Sequence, residues 1–292
     1  MPPSGSPTVR RRRLAAELRR LRGNRKAGEV AHAIGWSPSK ISRAESGRES
    51  LPPEEIEKLI DFYGATEPLR RQLLEFAGDA VRRGWWEDYA DTLAPEYMEF
   101  IGLEAEAASC LQWQPNVVPG LLQTEDYARQ INVAFQAVNP TVSPSVQERF
   151  LKVRMLRQAR LTEEPALQFS AVLDEAVLMR SVGSRDVMRA QLARLVEAAD
   201  LPNVDLRILP LNQNGGLQGS PFALMSFDSQ GVAGSDLEDI VSIEVLHTEL
   251  YEADTHLYRL FFEALSQAAL LPAESRHLVI SVMDRAWRLP PR

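Results

Sequence analysis

Residues 27 to 47, AGEVAHAIGWSPSKISRAESG, restrict this chain more than any other stretch, because they suit two short helices joined by one tight turn. Ser37 is a strong N-cap, Pro38 takes the first helical position where a missing N–H costs nothing, and Gly47 suits a left-handed helix end. Lys40 stands where a full capping box would have Glu or Gln. Val30, Ala31, Ile34, Ile41 and Ala44 form the side that packs, which turns Ser39, Lys40, Ser42 and Arg43 of the second helix outward. A helix with a small, polar and basic outer face fits the major groove of duplex DNA, where its N-terminal residues reach base edges. The competing reading is a plain helical bundle with a glycine turn.

Charge favours the first reading. Residues 1 to 50 hold 12 Lys or Arg against 4 Glu, a net of +8, whereas residues 51 to 292 hold 21 basic against 36 acidic residues, a net of −15. Counterion release favours a basic head on DNA and leaves an acidic body off it. The expected contact set is Ser37, Ser39, Lys40, Ser42 and Arg43 at base edges and nearby phosphates, with Arg25, Lys26 and Arg48 on the backbone. The opening MPPSGSPTVRRRR reads as a disordered basic arm and lacks the apolar segment of a signal peptide. No apolar run approaches the roughly 18 to 20 residues that span a bilayer. The single cysteine, Cys110, excludes an intramolecular disulfide and fits a reducing cytoplasm. The expectation is a cytoplasmic protein with no membrane partner.

At 292 residues the chain has room for about two domains. The pattern divides it into the start of the arm at 1–9, a helical head at 10–80, a connecting segment at 81–123 and an α+β domain at 124–292. In the head, Leu14, Leu18 and Leu21 repeat at helical spacing before the turn, as do Ile56, Leu59, Ile60 and Tyr63 after it. A last helix near 67–78 completes five. In the body, helices are expected at about 124–137, 143–160, 185–199, 254–269 and 272–287. Strands are expected at 167–174, 204–211, 222–227 and 240–247, giving a small mixed sheet.

The run GWSPSKISRAESG, residues 35 to 47, with the helices on either side, resembles the Xre family of helix-turn-helix regulators. That family often carries Gln near the start of the first helix of the motif; this chain has Ala27. A second resemblance rests on VPGLLQTEDYA (118–128), Arg154, Arg157-Gln158, LDEAVL (173–178), Gln191, Leu192, Leu195, PNVDLRILP (202–210) and GSPF (219–222). These pieces are similar to a C-terminal domain carried by many actinobacterial Xre regulators. The resemblance implies an antitoxin-like transcriptional regulator, often encoded beside a very small partner protein.

Residue supply argues against catalysis. His32, His247, His256 and His277 have no metal-ligand spacing, and one cysteine builds no zinc site. The loop NQNGGLQGSP, 212 to 221, lacks the Lys-Ser/Thr of a phosphate-binding loop and reads as a connection or a lid. Asp174-Glu175 reads as an acidic pair at a helix start rather than an acid–base pair. Arg149, Arg154, Arg157 and Arg160 recur on one helix, either as a site for an acidic partner or as a solvated face. The leading expectation is a homodimeric, DNA-binding transcriptional regulator, no enzyme, with no cofactor and no metal, whose C-terminal domain binds a small partner protein. The alternative is a small-molecule effector in a pocket lined by Met179, Met188, Leu192 and Met225. A DNA-recruited enzyme is the remote third.

Overall fold

In the computed structural model of the chain, the described residues are 7–47, 51–81, 83–138, 140–213, 219–228, 237–244, 248–251 and 254–288. The chain divides into two compact units: Met1–Asp88 with Ile101–Glu106 and Phe227–Glu238, and Tyr89–Phe100 with Ala107–Ser226 and Asp239–Arg292. Among the described residues, no helix is long and apolar enough to cross a membrane.

The first unit carries the five expected helices: α1 (Pro7–Arg22), α2 (Ala27–Ile34), α3 (Pro38–Ser46), α4 (Pro53–Tyr63) and α5 (Leu69–Ala80). Their apolar stripes meet in one core of Leu14, Leu18, Val30, Ala31, Ile41, Ala44, Ile56, Leu59, Ile60, Leu73 and Phe76. Gly64 takes φ 75° after α4, and the Ala65 N–H reaches back to Ile60 O at 3.2 Å, ending that helix with a left-handed cap.

The expected basic arm is corrected here. Residues 7 to 13 form the first turns of α1, and Thr8, Val9, Arg10 and Arg13 are buried. Residues 1–6 of the arm lie outside the described residues. The Arg10 guanidinium lies 5.0 Å from the centroid of the Phe76 ring. Arg13, 1% exposed, donates through Nη2 to Asp228 O at 2.7 Å. The arginine stems supply apolar cover while their heads find rings and carbonyls, so a run of charges that looks solvated in sequence becomes part of a packed helix.

Helix α6 (Pro95–Glu104) has residues 95–100 in the second unit and 101–104 in the first. The second unit continues with β1 (Ser109–Gln114), α7 (Glu125–Gln136), α8 (Pro144–Arg157) and β2 (Gln168–Asp174). Next come α9 (Ala176–Met179), α10 (Arg185–Ala198), β3 (Val204–Leu209), β4 (Phe222–Ser226), β5 (Ile240–Glu244), β6 (Thr248–Tyr251), α11 (Thr255–Ala268) and α12 (Pro272–Arg285). The strands form one sheet in the order β3-β2-β1-β4-β5-β6. β1, β2 and β3 run parallel, and β4 to β6 are antiparallel additions, so the sheet is mixed as expected. Phe262 and Leu265 of α11 join Trp113, Val172, Leu209, Phe222, Leu224 and Val241 in a core on one face.

The central strand β1 comes from the segment expected to be a mere connection. Its SCLQWQ sequence pairs with β2 on one side and β4 on the other, and buries Gln112 and Gln114. The alternating glutamines hide a strand that both neighbours shield. At the other end of the sheet, Ile208 of the edge strand β3 is closed off: its N–H donates to Ser275 Oγ and its carbonyl accepts from Leu270 N–H, both at 2.9 Å.

Candidate nucleic-acid interface

The turn between α2 and α3 is built from both ends. Gly35 adopts φ 72°, Trp36 N–H donates to Ala31 O at 2.8 Å, and Gly35 N–H reaches His32 O at 3.4 Å. These two bonds satisfy carbonyls that the end of α2 would otherwise leave bare. One residue later the chain enters α3: Ser37 Oγ accepts from Lys40 N–H at 3.2 Å, and Pro38 follows. Gly47, at φ 67°, closes the far end.

Ile41 and Ala44 face the core, leaving Ser39, Ser42, Arg43 and Ser46 exposed at helical spacing on the opposite side. Three of these four were expected from sequence; Ser46 was not, and its Oγ donates to Arg43 O at 3.1 Å. Ser37 is exposed, yet its hydroxyl serves the cap and lies 3.0 Å from Ser39 Oγ. Lys40 is half-buried: its Nζ sits 4.4 Å from the centroid of the Trp36 ring and 2.7 Å from Glu55 Oε2. Neither Trp36 nor Glu55 belonged to the expected set, since neither is basic or on the exposed face of α3. Arg25 and Lys26 are exposed at the start of α2, and the Arg25 guanidinium stands 5.9 Å from the Phe62 ring centroid. Arg48 lies outside the described residues.

A buried carboxylate fixes the angle of α3. Glu45 accepts from Arg22 Nε at 2.8 and 2.9 Å and from the Tyr63 hydroxyl at 2.8 Å, tying α3 to α1 and α4. Burial pushes the Tyr63 phenol well above its ordinary pKa, and the bond to Glu45 raises it further. Arg22 also donates to Arg25 O at 2.6 Å, so the loop before α2 is held by the same group.

Comparison with known families gives two matches. A model described as Domain of unknown function (DUF5753) covers residues 97–281. The chain belongs to the DUF5753 family. A second model, described as Helix-turn-helix domain, covers residues 13–73 and hence all of α2 to α4. No curated protein and no solved structure matches the chain.

Within the DUF5753 region, the run from Val118 to Ala128 is clamped by the other residues singled out in sequence. Gln123 Nε2 donates to Val118 O at 2.7 Å, and Arg154 Nη1 donates to Gln123 Oε1 at 2.7 Å. Gln158 Nε2 donates to Gly120 O and Gln123 O at 3.1 and 2.7 Å. Gln191 is fully buried; its Nε2 donates to Leu122 O at 2.8 Å and its Oε1 accepts from Thr124 N–H at 2.7 Å. Arg157 donates to the Tyr97 hydroxyl at 2.8 Å and lies 5.0 Å from the Phe100 ring centroid. The Gln123, Gln158 and Gln191 amides thus satisfy the backbone of a short turn in the interior, where an unpaired carbonyl is expensive, and Arg154 braces the Gln123 amide.

The arginine row resolves in the same way. Arg149 pairs with Asp91, and Arg160 donates to Ala107 O and Pro165 O, so all four arginines hold groups of their own unit. Asp174 caps Ala176 N–H at 2.8 Å, and Glu175 accepts from Leu211 N–H at 3.0 Å, a structural use of the acidic pair. Met188, Leu192 and Met225 are buried core, whereas Met179 is exposed. Among the described residues, no group of three or more His, Cys, Asp or Glu is arranged to hold a metal. His247 and residues 214–218 of the 212–221 loop lie outside the described residues.

Proposed function

We propose that this DUF5753 protein is a homodimeric, sequence-specific transcriptional regulator of the Xre type, docking α3 of each copy in the major groove about one DNA turn, roughly 34 Å, apart. The observation that supports it most is the face of α3: Ser39, Ser42 and Arg43 exposed along one side of a doubly capped helix, with Arg25 and Lys26 exposed at the start of α2. In this reading Ser39, Ser42 and Arg43 meet base edges, and Arg25, Lys26 and Arg48 hold phosphates and set register. The body acts as an antitoxin-like module that binds a small partner protein rather than performing chemistry.

The test is binding of the full chain to the DNA upstream of its own gene, with competitor DNA and at two salt concentrations. Selective binding that survives competitor is expected, and co-purification with a neighbouring small protein is expected for the body. Binding that competitor abolishes at both salts overturns sequence-specific regulation by the unaided protein.

A further inference from the structure

The Lys40–Glu55 pair stands where the proposed DNA surface begins, and neither residue belongs to the buried core of the helical head. Lys40 is the third residue of α3, and Glu55 lies in the first turn of α4. Their charged groups are 2.7 Å apart with side chains 26% and 31% exposed, and the Trp36 ring supports the ammonium from another side at 4.4 Å. The Glu55 carboxylate therefore stands beside the one lysine on α3 in the position that a phosphate oxygen would otherwise take, and the Trp36 ring supports the same ammonium. The α4 N-terminus, whose dipole favours negative charge, keeps Glu55 in place, as it would a bound phosphate.

Resting on the regulator reading, we propose that Glu55 is an internal phosphate mimic: it occupies Lys40 in the free protein, and DNA must displace it. Any duplex brought to this surface competes with the carboxylate for the same ammonium. Only a site that also satisfies Ser39, Ser42 and Arg43 gains enough to complete the exchange, so Glu55 raises selectivity by weakening non-specific binding. Glu55 is in this sense a residue that sets specificity without reading a base.

The test measures binding of wild type, E55Q, K40M and the double variant to a random-sequence duplex across a salt series, alongside the upstream DNA. E55Q is expected to steepen the salt dependence by about 0.9 in log–log slope, which at about 0.1 M salt makes random DNA bind up to about eightfold tighter. In the K40M background the same Glu55 change is expected to give less than half that increment. An unchanged slope in E55Q overturns the inference, as does an equal increment in both backgrounds. If wild type selects its upstream DNA while either of those results appears, only the inference falls. If neither wild type nor E55Q binds any duplex, the regulator reading itself falls and the inference with it.

Discussion

Tyr63 donates its phenolic proton to Glu45 Oε1 at 2.8 Å, joining the last turn of α4 to the last turn of α3 in the interior of the helical head. Removing that hydroxyl leaves Glu45 with Arg22 as its remaining side-chain partner among the described residues and opens a small void beside it. Tyr63→Phe should lower unfolding stability by about 1.5 to 3 kcal/mol, the range for a bond to a charged group. Denaturant titration of the full chain checks it; a loss below about 0.5 kcal/mol would show that the bond contributes little.

The same bond has a pH consequence. The folded-state pKa of Tyr63 is raised above that of an unfolded phenol, so its contribution is fully present below about pH 10 and is lost as pH rises through the folded value. Stability should decline above about pH 10, by at most about 1.4 kcal/mol per pH unit from this group. Tyr127, in the other unit, is also shifted upward by burial and adds to the decline. Tyr63→Phe should flatten the alkaline limb in part; superimposable limbs for the two proteins would remove Tyr63 from the account.

Gln191 serves two backbone groups at once, Leu122 O and Thr124 N–H. Gln191→Leu is similar in size yet orphans both, and should destabilise the second unit by about 2 to 4 kcal/mol. Hydrogen exchange at Thr124 offers a local readout: its protection should drop in the variant, and unchanged protection would mean that another group takes over.

Gly102 shows how little room α1 leaves. A Cβ there would run into Thr8 Oγ1 and stand 2.7 Å from Thr8 Cβ, with Trp86 at 3.1 Å. Gly102→Ala should cost roughly 1 to 3 kcal/mol through overpacking, and Thr8→Ala in the same chain should restore part of it. Thermal midpoints of the single and double variants decide the matter; additive losses would refute the steric argument.

Two arginines should separate cleanly. Arg43→Ala is expected to weaken the chosen operator by about 1 to 3 kcal/mol and relax preference at one base, with stability nearly unchanged. Arg13→Ala is expected to do the reverse, because Arg13 is buried and bonded to Asp228 O. Operator affinity and unfolding curves for both variants check this. Equal effects of both on DNA would return Arg13 to the binding surface.

Local chemistry made the head legible. Ser37, Pro38, Gly47 and the apolar spacing specify α3 without reference to anything distant, and α4 and the later helices of the body follow similar cues. The elements that escaped depend on non-local partners. β1 is polar enough to read as a loop, and only pairing with Phe169 and Met225 on either side of Cys110 makes it a central strand. Arg10 and Arg13 looked like solvent-facing charge because nothing nearby in sequence signals Phe76 or Asp228. The site was legible in part: the exposed residues of α3 follow from periodicity, whereas the bond between Lys40 and Glu55 needs the crossing of two helices.

The position of β1 also orders events during synthesis. Residues 109 to 114 leave the ribosome long before either strand that flanks them, since β2 ends at Asp174 and β4 at Ser226. The contacts within α2 to α4 are close in sequence and form as soon as those helices emerge, while β1 waits with both backbone edges unsatisfied. A chain cut between residues 175 and 221 would carry β1 and β2 but not β4, and its open strand edge would be an aggregation nucleus. Fragments of this protein that end between Gln114 and Pro221 should therefore aggregate.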